Sequence, residues 1–255
     1  MEVIVNMAPT HQSHDGLGSR PAHSFPPRSL HRCLVGSLLW LGLLFCGARG
    51  QGAESSAALR GFLAAQTNLV TWSADLTQIR RLKTLTQPLM STGRVWFAAP
   101  HQFRWEIGTP AQTIAVRGEN EMLVIYPRLK RVEKYPLTGD KMGPWKDTLA
   151  LLEAGFPRSQ KEMDERFKVI SSSESNGVHE VVLQPKSAAA RRMMPRISLA
   201  FAAGDLQLRA TELEFGDGST MRNEFHSARL NPALDGKLFS PVIDPDFRVV
   251  EPMKK

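Results

Sequence analysis

Cysteine is nearly absent. The 255-residue chain has two, Cys33 and Cys46, and both fall in an N-terminal segment with the chemistry of a removable leader. The mature chain is therefore expected to hold neither a disulfide nor a thiolate metal site. Histidine is also scarce beyond residue 50. His101, His179 and His226 fall on different predicted strands without metal-ligand spacing, which is the pattern of isolated surface or turn histidines. No G-x-S-x-G elbow, P-loop or G-x-G-x-x-G is present, so no common nucleophile or phosphate cradle is legible. A run long enough to cross a bilayer as a helix is missing too. The longest apolar stretch, Leu34 to Phe45, is short for that purpose.

That stretch suits the apolar region of an export signal. It follows Arg28, His31 and Arg32, and Ala48-Arg49-Gly50 supplies small residues before a cut that would start the mature chain at Gln51. The Pro-, Ser- and His-rich residues ahead of it are more than a signal requires, as a misassigned start would give. Lipidation at Cys46 is disfavoured because Phe45 stands where a small residue is usually needed. Two segments are thus expected: an extension with a cleavable signal over 1–50, and one domain over 51–255. The whole chain carries a formal charge of +7 with 32 basic and 25 acidic residues. Removing the four Arg and two acidic residues of 1–50 leaves 28 against 23, or +5. An exported chain rarely meets nucleic acid, so this balance points to anionic lipid or an acidic protein partner.

Apolar residues make up 42% of the chain, enough to bury a core. Leu59, Phe62, Leu63 and Leu69 sit near helical spacing behind Ser55 or Ser56, which predicts an opening amphipathic helix. Alternation then takes over, with Trp72, Ala74 and Leu76 on one side of a strand and Thr71, Ser73, Asp75 and Thr77 on the other. The runs STGRVWFAA, QFRWEIG, QTIAVRG, EMLVIYP and KRVEKYP follow, separated by Gly, Pro and Asn turn chemistry, as in an antiparallel meander. Gly143-Pro144 opens a second predicted helix that Gly155 and Pro157 stop. Strands then return, with hairpins expected at Asn176-Gly177, Gly204-Asp205 and Gly216 to Gly218. The sum is a single, mainly β domain: a large curved antiparallel sheet whose apolar face is closed by helices.

Two polar groups invite a sharper reading. Glu212 and Glu214 share a strand face and have the spacing of an acid–base pair, but solvent-facing pairing with Arg209 and Arg222 is the simpler expectation. Arg128, Lys130, Arg131 and Lys134 alternate with Leu129, Val132 and Tyr135 around a turn. This reads as a solvated edge that resists aggregation, or else as a docking face for an anionic surface. Trp72, Trp96, Phe97, Phe103, Trp105 and Tyr126 crowd the first half's strands, where periodicity alone cannot separate core rings from a ligand-cavity lining.

Residues 74–137 carry a more specific signal. Leu76-Thr77-Gln78, then Gly93 to Trp96 running into Pro100 to Trp105, resembles the periplasmic outer-membrane lipoprotein carrier family, LolA. VVLQPKS (181–187) and LFSPVIDPDFRVVE (238–251) resemble that family's later Leu-x-Pro-Lys strand and its closing segment. The resemblance implies an incomplete, open antiparallel β-barrel of about ten or eleven strands closed by a helical lid, LolA/LolB-like. It also implies a monomeric periplasmic carrier without cofactor, metal or catalysis. Such a carrier takes acylated lipoproteins from an inner-membrane ABC transporter to an outer-membrane acceptor lipoprotein. Alternatives within the fold are a membrane-tethered acceptor, an envelope sensor, or a carrier of another lipid. By position in the motif, Phe103 and Trp105 are the first candidates for acyl-chain binding, followed by Val95, Phe97, Trp72, Ala74, Leu76 and Ile114. Ala99 stands where many members have a lid-bonding arginine, so either Arg94, Arg104 or another cation takes that role, or the lid works differently or the cargo is a different lipid.

Overall fold

Alternation along the chain becomes alternation across a sheet. In the computed structural model, which describes residues 51–137 and 159–252, with only the backbone for 51–56, Thr71–Arg81 (β1) buries every second residue from Trp72 to Arg80. β2 (Leu89–Ala98), β3 (Gln102–Ile107), β4 (Thr113–Arg117), β5 (Glu121–Tyr126) and β6 (Arg131–Pro136) follow as an antiparallel meander. A second meander comprises β7 (Phe167–Ser175), β8 (Val178–Pro185), β9 (Arg196–Ala202), β10 (Leu208–Glu214) and β11 (Thr220–Leu230). β11 returns to pair with β1, which joins the two meanders into one sheet of order β12-β6-β5-β4-β3-β2-β1-β11-β10-β9-β8-β7.

The sheet is open, with β7 and β12 as its edges. It has twelve strands, more than the ten or eleven expected. β12 (Arg248–Val250) is only three residues long and runs parallel to β6, too short for a period-two pattern to announce it. The Asn176-Gly177 hairpin forms as its residues require, with φ of +52° and +72°.

Helix α1 (Gln51–Thr67) begins earlier than the serine cap predicted, so Ser55 and Ser56 lie within it. Its Leu59, Phe62 and Leu63 are buried. Two helices too short for helical periodicity to show also appear. These are α2 (Gln160–Arg166), capped by the Ser159 hydroxyl accepting from Glu162 N–H at 3.1 Å, and α3 (Ala188–Met193), capped by Ser187. The leader, both cysteines and the predicted helix at 143–155 lie outside the described residues.

Three apolar clusters hold these elements together. The largest joins α1 to the inner face of β1, β2 and β7–β11, with Phe62 stacked on Phe201 at 4.6 Å between centroids. A second, on the same face of β4–β6, contains Ala115, Met122, Val124, Tyr135 and Leu137. The third covers the other face of β5 and β6, where Leu123, Ile125 and Val132 pack with Ile114 and with Ile243 and Phe247 of the C-terminal segment.

Candidate functional site

Strand register decides which of the candidate residues meet. Directly opposed residues share a face, so Trp72, Phe97 and Phe103 form one cross-strand row. Ala74, Val95, Trp105, Ala115 and Val124 form the next, and Leu76 faces Gly93 and Ile107 in a third. Seven of the eight candidates therefore lie on the inner face. Ile114 does not. It opposes Glu106 and Ile125 on the outer face and belongs to the cluster under Phe247. Both faces of β4 are apolar there, so hydrophobicity could not choose its side.

Exposure separates the seven. Trp72, Ala74, Leu76 and Val95 are almost fully buried and Phe97 nearly so, whereas Phe103 and Trp105 are half-buried. Trp105 borders both the large cluster and the β4–β6 cluster. It approaches Phe225 edge-on at 6.1 Å, and Trp72 meets the same ring at 5.2 Å. Its indole N–H is buried without a hydrogen-bond partner among the described residues. Gly93 sits where β2 and β3 press together. A Cβ there would lie 2.0 Å from the Glu106 carbonyl oxygen, so only glycine fits. Beside Trp72, a cleft of about 200 Å³ opens between the end of α1 and the β9–β10 turn, lined in part by Leu69, Leu206 and Leu230.

Polar groups on the inner face are few and ordered. Gln78 Nε2 donates to Asn223 Oδ1 at 3.1 Å, and Asn223 Nδ2 donates to Thr211 Oγ1 at 3.3 Å, a ladder buried across β1, β11 and β10. Gln78 Oε1 has no partner among the described residues. Two residues on, in the same parity as Trp72, Ala74 and Leu76, Arg80 is buried as well, and burial lowers its pKa. Extending the β1 alternation by two steps would have found both residues. Near the β6 edge, Tyr135 Oη donates to Glu133 Oε2 at 2.8 Å. Burial, reinforced by that carboxylate, raises the phenol above its usual range. Arg117 is lowered to about 10, chiefly by burial and secondarily by Arg166.

The cations proposed to substitute at the Ala99 position point the other way. Arg94 pairs with Asp75 at 3.0 Å and lies over Trp96, and Arg104 pairs with Glu106 at 2.6 Å and donates to the Leu238 carbonyl, all on the outer face. Ala99 itself donates its N–H to Val70 O and packs on the large cluster. In the basic cluster, Lys130 pairs with Asp246, Arg131 with Glu133, and Lys134 with Glu121, so most of its charge is matched locally. Glu212 pairs with Arg222 as expected, while Glu214 takes Arg196 and Arg209 takes Asp205. His226 Nε2 lies 3.3 Å from Thr77 Oγ1, and His179 stands against Phe201. Among the described residues no three potential metal ligands gather, and no helix is long and apolar enough to cross a membrane.

The sequence profile of the family described as "Outer membrane lipoprotein carrier protein LolA" matches residues 67–242. No curated protein matches the chain. Among solved structures, an uncharacterized conserved protein from Thermus thermophilus superposes with a TM-score of 0.46 at 12% identity, covering 77% of this chain and 99% of its own. A putative outer membrane lipoprotein-sorting protein domain from Vibrio parahaemolyticus gives 0.40 at 10% identity, covering 73% and 96%. The MucA/MucB complex of Pseudomonas aeruginosa gives 0.33 at 14%, covering 77% and 63%.

Proposed function

We propose, from the premise that this chain belongs to the LolA family of outer membrane lipoprotein carrier proteins, that it is a periplasmic carrier of acylated lipoproteins. Their acyl chains would lie against the inner face around Phe103 and Trp105. One observation carries the reading. Trp72, Ala74, Leu76, Val95, Phe97, Phe103 and Trp105 share one apolar face, and the two rings nearest its seam, Phe103 and Trp105, are the half-buried ones. The physical need is plain, since each exposed methylene costs about 0.8 kcal/mol and a chain of fifteen about 12 kcal/mol in water.

The container works by exchange of apolar contacts. α1 fills the inner face through Leu59, Phe62 and Leu63, and an arriving chain takes over those contacts as the helix lifts. Apolar contact is non-directional, so the carrier holds its cargo without fixing one acyl conformation. Release to an acceptor that binds more tightly then follows by mass action. The carrier is a monomer and makes or breaks no bond. It receives the lipoprotein from an inner-membrane ABC transporter and hands it to an outer-membrane acceptor lipoprotein.

The test is transfer of a radiolabelled acylated lipoprotein from energised inner-membrane vesicles into a detergent-free soluble fraction. The expected result is a one-to-one soluble complex. Trp105→Asp, which places a charge on the apolar face, should reduce uptake far more than it lowers the urea midpoint. Absence of a soluble complex, or equal loss of uptake and stability, would contradict the reading.

A further inference from the structure

Arg80 is the only charged residue in its cross-strand row. Register places Leu183, Ile197, Leu213, Met221, Arg80 and Leu89 side by side across six strands. Only 6% of Arg80 is exposed, and it forms no hydrogen bond or ion pair with a described residue. Burial lowers its pKa, and among the described residues no carboxylate pairs with it. Asp217, on the turn before β11, is exposed and already accepts from the Ser219 N–H and hydroxyl. The Arg80 stem is buried among apolar neighbours, while none of its guanidinium nitrogens is sealed off from solvent, which leaves the head group at the end of the apolar face open to an anion.

The adjacent row supplies the second half of the site. Gln78 is 1% exposed, lies two residues from Arg80 on the same face, and its Oε1 is buried without a partner among the described residues. If the Gln78 and Asn223 amides turn over together, the ladder keeps its bonds. Gln78 then presents N–H donors in place of that oxygen. Polarity is thus graded along β1, from Trp72 at one end to Gln78 and Arg80 at the other, roughly 26 Å at about 3.3 Å per residue.

We propose that Arg80 and Gln78 bind the anionic head group of an amphiphile whose acyl chain runs along the inner face toward Trp72 and Trp105. This rests on the acyl-chain reading above and adds a charge requirement to it. The guanidinium offers paired donors to either a carboxylate or a phosphate monoester. Exposed Arg81 and Lys83 follow on the chain and keep the approach to that end positive.

The full-length protein is titrated with four oleoyl probes: oleate, oleoyl lysophosphatidate, monoolein and oleyl alcohol. The two anions are expected to bind about tenfold or more tightly than the two neutral probes, the order expected of one charge-assisted hydrogen bond. Which anion binds better tells carboxylate from phosphate. Arg80→Met should abolish the preference while leaving monoolein binding unchanged, and Arg80→Lys should retain most of it. A wild-type preference that survives in Arg80→Met, or no preference in the wild type, overturns the anion site and leaves the acyl-chain reading standing. Failure of all four probes to bind overturns both. Should Arg80→Met fail to fold, the wild-type preference and its Arg80→Lys counterpart still decide.

Discussion

The two parts of the sheet bury their apolar residues differently. β1, β2 and β7–β11 share one apolar cluster on a single face, which α1 joins over β7–β9. Their other face carries ion pairs such as Arg94 with Asp75 and Arg222 with Glu212 and Glu224. β4–β6 are apolar on both faces, with Ala115, Met122 and Val124 inside and Leu123, Ile125 and Val132 outside under Ile243 and Phe247. The first part is closed by a helix, which the proposed carrier mechanism requires to lift; the second packs on both of its faces. The proposed carrier would need both, a wall that persists and a face that can be vacated, and Trp105 packs against both clusters.

Three substitutions sharpen or break that contrast. Phe62→Ala removes the ring stacked on Phe201 and should cost about 3–5 kcal/mol in urea unfolding. It should also speed acyl-chain uptake, because α1 would lift more easily. A loss below 1 kcal/mol would mean that α1 does not anchor the first part. Gly93→Ala forces a methyl group into the Glu106 carbonyl and should cost about 1–3 kcal/mol. A neutral outcome would show that β2 and β3 separate readily and that the wall ends earlier than described.

The smallest effect belongs to the two-faced part. Tyr135 has a raised pKa because its phenol is buried and bonded to Glu133. A raised folded-state pKa contributes stability that is fully present below the unfolded value near 10 and is lost as pH rises through the folded one. Tyr135→Phe should therefore cost about 1 kcal/mol at neutral pH and flatten the fall in stability above pH 10. An unchanged alkaline profile would remove Tyr135 from the buried wall.

The same contrast explains what was legible in the sequence. Where one face is polar, as in β1, alternation alone placed Trp72, Ala74 and Leu76 inside, and glycine and asparagine marked the hairpins. Where both faces are apolar, as in β4, Ile114 was indistinguishable from a lining residue until the strand was paired with its neighbours. Short elements escaped for another reason: α2, α3 and β12 are stabilised by Ser159, Ser187 and the β6 edge rather than by a repeating pattern. Gln78 and Arg80 were hidden by their own chemistry, since polar residues are ordinarily assigned to the solvent side even when the alternation puts them within.

The most direct measurement is tryptophan fluorescence with a bound acyl chain brominated at mid-chain, which quenches only rings in contact with it. Wild-type protein should be strongly quenched. Trp105→Phe should bind the chain with similar affinity yet lose most of the quenching. Equal quenching in the wild type and in a Trp72→Phe/Trp105→Phe double variant, at equal occupancy, would place the acyl chain elsewhere and contradict the inner-face container.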